Sequence, residues 1–241
     1  MFFWRSRRFA AGLLPLPPAI EKPIICCVTS GKSASAGASG ASRLLEMIRA
    51  AVAAGADWVQ IREKELPARG LLALTDSAVA MARETAEGSR KTRIIVNDRM
   101  DVALAAGADG VHLGRASVDA THVIRFCREG NAPPDFLIGV SCHGALESRE
   151  AEQAGASYIF FGPVFDTPDK RAFGAPRGIE ELRAVSNELR IPVIAIGGVN
   201  LANAGECLRA GASGIAAIRM FQEVSDIAAL RDSIECLRRS R

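Results

Sequence analysis

Several short apolar runs in this chain end in polar residues of the kinds that bind anions. One of them ends in Gln60-Ile61-Arg62-Glu63-Lys64. In an extended strand Gln60, Arg62 and Lys64 lie on one side, because successive side chains point to opposite faces. An amide and two cations on one side are suited to binding a phosphate or a diphosphate. A plainer interpretation is also open, in which Arg62, Glu63 and Lys64 form ion pairs at a rim.

Polar residues close other apolar runs as well. Asn97 and Asp98 follow one run, and Ser141 closes another. Asp98 could hold Mg²⁺, which one or two carboxylates commonly bind together with substrate phosphates. An aspartate just before a helical pattern could equally be an N-cap, so both roles remain open. Gly197 and Gly198 would let backbone N–H groups approach a phosphate, or they could simply form a turn.

These runs belong to a regular alternation of predicted strands and helices. The phrase Ala-Gly-Ala followed by Asp or Ser occurs four times, around Gly55, Gly107, Gly155 and Gly211, each time between a helical pattern and an apolar run. Glycine is favoured just past a helix end. The predicted strands are 24–29, 58–62, 93–97, 110–113, 137–141, 158–162, 192–196 and 214–218. The predicted helices are 44–54, 68–87, 100–106, 120–128, 146–154, 179–189, 202–210 and 227–239.

This alternation predicts the fold class. The strands are continuous apolar runs, which is typical of a parallel sheet covered by helices. Eight strand–helix units predict a single α/β domain with a parallel (β/α)₈ TIM barrel, in which the active site lies at the carboxyl ends of the strands. An open doubly wound sheet is the alternative, but its G-x-G-x-x-G fingerprint is missing after the first strand. We expect the patternless segment 31–42 to be a flexible loop on the catalytic face.

Composition excludes some classes of protein. The net charge of +3 owes much to arginines among the first eight residues, and the chain has one tyrosine, so nucleic-acid binding is not expected. No apolar run approaches the roughly 20 residues that cross a membrane. The six cysteines show no C-x-x-C spacing and indicate reduced thiols of a cytoplasmic protein.

The amino-terminal segment differs from the rest of the chain. Residues 1–22 combine arginines with Pro15, Pro17 and Pro18, which interrupt any signal-peptide pattern. We expect a disordered extension there, with targeting as a less favoured alternative, and a barrel domain over 23–241. The chain could form a homo-oligomer, but the sequence does not decide this, because a dimer contact on barrel helices looks like any other apolar stripe.

Six motifs in order resemble the thiamine phosphate synthase and thiazole tautomerase superfamily of barrels. They are V-Q-I-R-E-K (59–64), V-N-D-R (96–99), D-G-V-H-L-G (109–114), G-V-S (139–141), F-G-P-V-F-D-T (161–167) with Lys170, and A-I-G-G-V (195–199). The resemblance implies condensation of 4-amino-2-methyl-5-(diphosphooxymethyl)pyrimidine with carboxythiazole phosphate to thiamine phosphate and pyrophosphate. It further implies Mg²⁺ as the cofactor and phosphorylated small molecules as the partners.

The resemblance also implies roles for individual residues. The pyrimidine diphosphate would be bound by Gln60, Arg62, Lys64, Asn97, Ser141 and Lys170, of which Arg62, Ser141 and Lys170 would be catalytic. Asp98 would bind Mg²⁺. Thr167 would face the thiazole phosphate, whose phosphate would rest on the backbone amides near Gly198, Ile218 and Arg219.

Three positions depart from the pattern of the synthases. Ser117 stands where a second metal-binding aspartate is usual, and Asp119 comes two residues late. Asp169 replaces a threonine after the sixth strand. Arg219 replaces a small residue or serine after the eighth, where an arginine could bind phosphate directly.

These departures keep two alternatives open. A thiazole tautomerase of the same superfamily needs neither metal nor a diphosphate pocket, and Ser117, Asp169 and His143, as a proton shuttle, favour it. Gln60, Asn97 and Asp98 favour the synthase. A barrel that binds a phosphorylated metabolite without catalysis is an alternative of another class.

Overall fold

The computed structural model describes residues 22–31, 37–84, 91–167, 175–222 and 226–239. The strands are β1 Ile24–Val28, β2 Trp58–Ile61, β3 Arg93–Asn97, β4 Gly110–Leu113, β5 Leu137–Cys142, β6 Tyr158–Phe161, β7 Val193–Ile196 and β8 Gly214–Ala217. The helices are α1 Gly37–Ala53, α2 Ala68–Glu84, α3 Met100–Ala105, α4 Ala120–Phe126, α5 Ala145–Ala154, α6 Gly178–Glu188, α7 Ala204–Arg209, α8 Arg219–Gln222 and α9 Ile227–Arg239.

The strands form one closed parallel barrel in the order of the chain. Each strand pairs with the next, and β8 returns to pair with β1, where Ile24 lies opposite Gly214. A closed barrel has no exposed sheet edge, and its strands can be short because helices cover the outer face. The predicted (β/α)₈ barrel is confirmed, and the open doubly wound sheet is excluded.

Most strand residues are apolar because each side of a strand faces a different core. Inward side chains fill the barrel itself, among them Cys26, Val28, Trp58, Tyr158, Phe160, Ile194 and Ala216. Outward side chains such as Ile25, Val59 and Ile61 pack against the surrounding helices. The alternation of strand residues therefore decides which polar side chains at the strand ends point toward the barrel axis.

The repeated Ala-Gly-Ala phrase closes the amino-terminal end of the barrel. Its glycines have positive φ angles, between 62° at Gly107 and 98° at Gly155. In three of the four phrases the Asp or Ser that follows accepts a backbone N–H from the preceding strand: Asp57 from Ile25 at 2.9 Å, Asp109 from Ile94 at 2.8 Å and Ser157 from Ile138 at 2.9 Å. The phrase is thus structural, and it links neighbouring strands at the end away from the site.

The prediction of a loop over residues 31–42 is partly wrong. Helix α1 begins at Gly37, and residues 32–36 lie outside the described part of the chain. Two glycines in the first turn of α1 weaken its helical signal, whereas packing of Leu44 and Ile48 against the barrel stabilises the helix. The other predicted elements have their counterparts, with ends shifted by a few residues.

Two further expectations from the sequence concern the amino-terminal segment and membrane-spanning helices. Residues 1–21 lie outside the described part of the chain, so the expected amino-terminal extension stays a prediction. Within the described residues, every helix is too short or too polar to cross a membrane.

Candidate active site

Side chains at the carboxyl ends of β2 and β3 are joined by hydrogen bonds. Asn97 Nδ2 donates to Asp98 Oδ2 over 2.6 Å, and Gln60 Nε2 donates to Asn97 Oδ1 over 3.0 Å. A carboxylate only accepts, so it determines which end of the Asn97 amide faces it and which end remains to accept from Gln60. Gln60 is buried, and the other two are half-buried. The two amides therefore hold the Asp98 carboxylate at the mouth of the barrel.

Asp98 has an unusual backbone conformation. Its φ is 62°, and it is the one non-glycine residue with positive φ among the described residues. Such a conformation is costly for a side-chain-bearing residue and often marks a functional position. Its N–H donates to the carbonyl of His112 at 2.9 Å, which stabilises the conformation. The N-cap position of α3 is Arg99, without a side-chain cap, so the N-cap interpretation of Asp98 is wrong.

Ser117 lies beside Asp98, as its position in the sequence suggests. The Ser117 hydroxyl donates to Asp98 Oδ1 in a short hydrogen bond and accepts the Gly114 N–H at 2.7 Å. Asp119 instead caps α4, accepting the Thr121 N–H at 2.8 Å. The serine thus occupies the place beside Asp98 where a second carboxylate was expected, and Asp119 does not replace it.

The basic residues after β2 do not pair with their acidic neighbour. Lys64 Nζ lies 3.7 Å from Asp98 Oδ2, and its side chain is about half exposed, at 49%. Glu63 is buried and accepts the Gly31 N–H at 3.1 Å. The Arg62 N–H donates to the buried Thr29 hydroxyl at 2.8 Å. Arg62, Glu63 and Lys64 therefore do not pair with one another, whereas Lys64 pairs with Asp98, the same carboxylate that Asn97 contacts.

A second polar group lies inside the barrel beneath the ends of β4 and β5. His112 Nε2 is 2.9 Å from Ser141 Oγ, and His112 Nδ1 is 3.2 Å from the Tyr158 hydroxyl. The His112 ring packs on Phe160 with ring centroids 4.2 Å apart. Burial raises the pKa of Tyr158 well above its ordinary value, so its phenol is neutral. His112 and Tyr158 were not among the predicted site residues, although strand alternation places both on the inward side of the barrel.

Gly197 and Gly198 bring the end of β7 against the loop that follows β6. Both have positive φ, 91° and 70°. A Cβ added to Gly198 would lie 2.7 Å from the Cβ of Phe165, so only glycine permits this approach. The same loop carries Thr167, whose hydroxyl donates to the Phe165 carbonyl at 3.2 Å. The glycines thus form a turn that places Thr167 near the end of β7.

The remaining predicted residues fall into three groups. Ile218 follows β8, and Arg219 is the first residue of α8. Lys170 and Asp169 lie outside the described residues. His143 has its Nδ1 2.5 Å from the Gly162 carbonyl, which can only accept, so Nδ1 carries the hydrogen.

The donors around Asp98 are compatible with a magnesium ion. The described residues contain no group of three or more His, Cys, Asp or Glu side chains that could hold a metal. Magnesium does not require one, because it keeps several waters and binds through one or two carboxylates with substrate phosphates. The Asp98 carboxylate and the Ser117 hydroxyl are both hard oxygen donors. The set fits Mg²⁺ held jointly with a phosphorylated ligand.

The fold and the site define a class, a (β/α)₈-barrel enzyme whose polar side chains gather at the carboxyl ends of the strands. The sequence profile of the thiamine monophosphate synthase family matches residues 26–221. This chain belongs to that family.

Individual relatives agree with the family assignment. The chain is 47% identical to a protein of Geobacter sulfurreducens over 75% of this chain and 80% of that protein. It is 39% identical to the thiamine-phosphate synthase of Roseiflexus sp. (strain RS-1) over 85% of this chain and 80% of the relative. The solved thiamine phosphate pyrophosphorylase of Pyrococcus furiosus is similar with a TM-score of 0.76 at 30% identity, over 91% of this chain and 97% of the other. The family and the enzyme class expected from the sequence are confirmed, whereas residue roles stay predictions.

Proposed function

We propose that this chain is a transferase that joins the pyrimidine methyl diphosphate to carboxythiazole phosphate and releases pyrophosphate. The observation that carries the proposal is the hydrogen-bonded group of Gln60, Asn97, Asp98 and Ser117, with Lys64 beside it, at the barrel mouth of a chain of this family. A tautomerase that never handles a diphosphate has no need of this group.

The group suits a reaction in which a diphosphate leaves. The bond between the pyrimidine methylene carbon and the diphosphate oxygen breaks, positive charge develops on the carbon, and negative charge grows on the leaving oxygens. Lys64 supplies positive charge beside Asp98, and the Ser141 hydroxyl can donate a hydrogen bond. Arg62 stays a predicted second cation for the diphosphate. Fixed charges and donors that stabilise developing charge are commonly the largest contribution to such catalysis. Lys170 stays a predicted contact to the same diphosphate.

Magnesium would be held by Asp98, with Ser117 as a neutral oxygen donor. When bound, it supplies positive charge that stabilises the leaving diphosphate. The protein's own contribution is orientation: Asn97 and Lys64 engage Oδ2 of Asp98, while Ser117 engages Oδ1. This arrangement keeps the carboxylate turned toward the barrel mouth before any ligand arrives.

The second substrate is placed by the opposite side of the barrel. The N–H groups of Gly198 and Ile218 donate to no backbone carbonyl among the described residues, which leaves them available to a phosphate. The thiazole nitrogen then forms the new bond to the methylene carbon. Because the thiazole enters as a carboxylate and the product carries hydrogen at that carbon, CO₂ must leave and one proton must be taken up.

The proposal is tested by the Asp98→Asn variant with an Asp101→Asn control. Asp101 lies three residues away, is exposed and pairs with Arg99 outside the group. We expect the unmodified protein and the control to form thiamine phosphate in the presence of Mg²⁺. Asp98→Asn should lose at least tenfold in turnover and most of its response to added Mg²⁺.

Two results would contradict the proposal. Isomerisation of the thiazole carboxylate without thiamine phosphate would identify a tautomerase. Binding of thiazole phosphate without turnover of either substrate would identify a non-catalytic barrel. An unaltered magnesium response in Asp98→Asn would remove Asp98 from the metal site while leaving the reaction in place.

A further inference from the structure

A chain of three buried polar groups crosses the barrel interior beneath the active site. Tyr158, on β6, contacts His112, on β4, and His112 contacts Ser141, on β5. Tyr158 and His112 are each 1% exposed, whereas Ser141 is half-buried and reaches the barrel mouth. Buried polar groups need partners, so the direction of each hydrogen bond in this chain is constrained.

Tyr158 and His112 can share their hydrogens in two ways. His112 Nδ1 either accepts the phenolic hydrogen or donates its own hydrogen to the phenolic oxygen. In the second case the Tyr158 O–H would be buried, with no other hydrogen-bond partner among the described residues. A buried O–H without an acceptor is destabilising. Tyr158 therefore donates, Nδ1 accepts, and a neutral His112 carries its hydrogen on Nε2.

The same reasoning continues to Ser141. An Nε2–H group can only donate, so Ser141 Oγ accepts it over 2.9 Å. The serine hydroxyl hydrogen then cannot point back toward His112. It faces the barrel mouth, where the proposed function places the diphosphate.

We infer that Tyr158 and His112 are positioning residues that direct the Ser141 hydroxyl as a hydrogen-bond donor to the leaving diphosphate. The inference rests on the proposed function for the identity of the ligand. It goes further in assigning a role to two buried residues that do not touch the substrate. A hydroxyl oriented before the substrate arrives loses less entropy when it stabilises the transition state.

The surrounding packing keeps the chain in place. Trp58 and Phe160 flank the Tyr158 ring, with the Trp58 centroid 4.6 Å away. Gly139 lies beneath the contact, and a Cβ there would come 2.6 Å from His112 Nδ1 and overlap the Tyr158 hydroxyl. The absence of a side chain at Gly139 is thus what allows the two rings to meet.

The first test is the tautomer of His112, measured by nitrogen NMR on protein labelled with ¹⁵N-histidine. The chain contains three histidines, so His112 can be identified by loss of its signals in a His112→Gln variant. We expect a protonated Nε2 and an unprotonated Nδ1 in the unmodified protein. A protonated Nδ1 with an unprotonated Nε2 would overturn the inference.

The second test is a double-mutant cycle between Tyr158→Phe and Ser141→Ala. Tyr158→Phe keeps the ring and removes the hydroxyl, and we expect kcat to fall about five- to tenfold with little change in KM. In the Ser141→Ala background the same change should have no further effect, because Tyr158 acts through Ser141. Equal losses in both backgrounds would show a merely structural role and would contradict the inference.

A matched control separates this effect from general loss of a buried hydroxyl. Thr75 is fully buried on α2, and its hydroxyl donates to the Leu71 carbonyl at 2.7 Å, away from the strand ends. Thr75→Val should leave kcat unchanged. If the unmodified protein forms no thiamine phosphate, the proposed function fails, whereas the NMR measurement still decides the direction of the hydrogen bonds.

Discussion

Gly139 offers a quantitative test of how tightly the barrel interior is packed. In a Gly139→Ala variant the new methyl group would overlap the Tyr158 ring and lie 2.6 Å from His112 Nδ1. Ordinary contacts are about 3.5 Å, so the His112 ring would have to move by about 0.9 Å and the Tyr158 ring by more. They have little room, since Trp58 and Phe160 pack against them inside a closed barrel.

The expected cost follows from two contributions. Overpacking a core costs about 1–3 kcal/mol, and loss of the His112–Tyr158 hydrogen bond adds about 1 kcal/mol. We therefore expect Gly139→Ala to lower the free energy of unfolding by about 2–4 kcal/mol. For a chain of this length the melting temperature should fall by about 5–15 °C.

The assay is urea and thermal unfolding followed by circular dichroism, with Gly70→Ala as the control. Gly70 lies in α2, and a Cβ there would meet its nearest neighbour, Leu66 Cδ2, at an ordinary 3.5 Å. Alanine is the better helix former, so this control should gain about 0.5–1 kcal/mol. A Gly139→Ala variant as stable as the unmodified protein would refute the packing argument.

Three further predictions concern charge. Arg238, with 3% of its side chain exposed, pairs with Asp57 at 3.0 Å. Arg238→Ala should lower the free energy of unfolding in urea by about 3–5 kcal/mol, because it leaves Asp57 without this partner. A loss under about 1 kcal/mol would contradict this. Burial raises the pKa of the Cys207 thiol to about 12, so between about pH 8.5 and pH 12 only the unfolded state loses the proton. The free energy of unfolding should therefore fall by about 1.4 kcal/mol per pH unit over this range. Cys207→Ala should show a shallower decline, and parallel plots of unfolding free energy against pH would contradict this. Ser117→Asp adds a carboxylate beside Asp98 and should lower severalfold the Mg²⁺ concentration for half-maximal activity, whereas a higher requirement would show that Ser117 does not face the metal.

The fold could be predicted from the sequence because its signals are local and repeated. The four Ala-Gly-Ala phrases end helices and begin strands, and strand runs such as β3 and β4 have the predicted bounds. The start of α1 could not be predicted in this way. Its helical state depends on packing of Leu44 and Ile48 against the barrel, which local composition does not report.

The inward-facing residues of the candidate site could be predicted from the sequence, whereas their hydrogen-bond partners could not. Strand alternation indicates which residues point inward, and it identifies Gln60, Asn97 and Ser141. Hydrogen-bond partners depend on the stagger between strands, which alternation does not report. Gln60 lies opposite Ile95 in the pairing of β2 and β3, yet its side chain reaches Asn97 two residues further on.

The most direct test of the account is pyrophosphate release followed by phosphorus NMR with the purified, unmodified chain. The sample contains the pyrimidine diphosphate, carboxythiazole phosphate and Mg²⁺, and a parallel sample lacks the thiazole. We predict that pyrophosphate and thiamine phosphate appear in equal amounts, and only when both substrates are present. Pyrophosphate release without the thiazole, or none with both substrates, would contradict the claim that this site joins them.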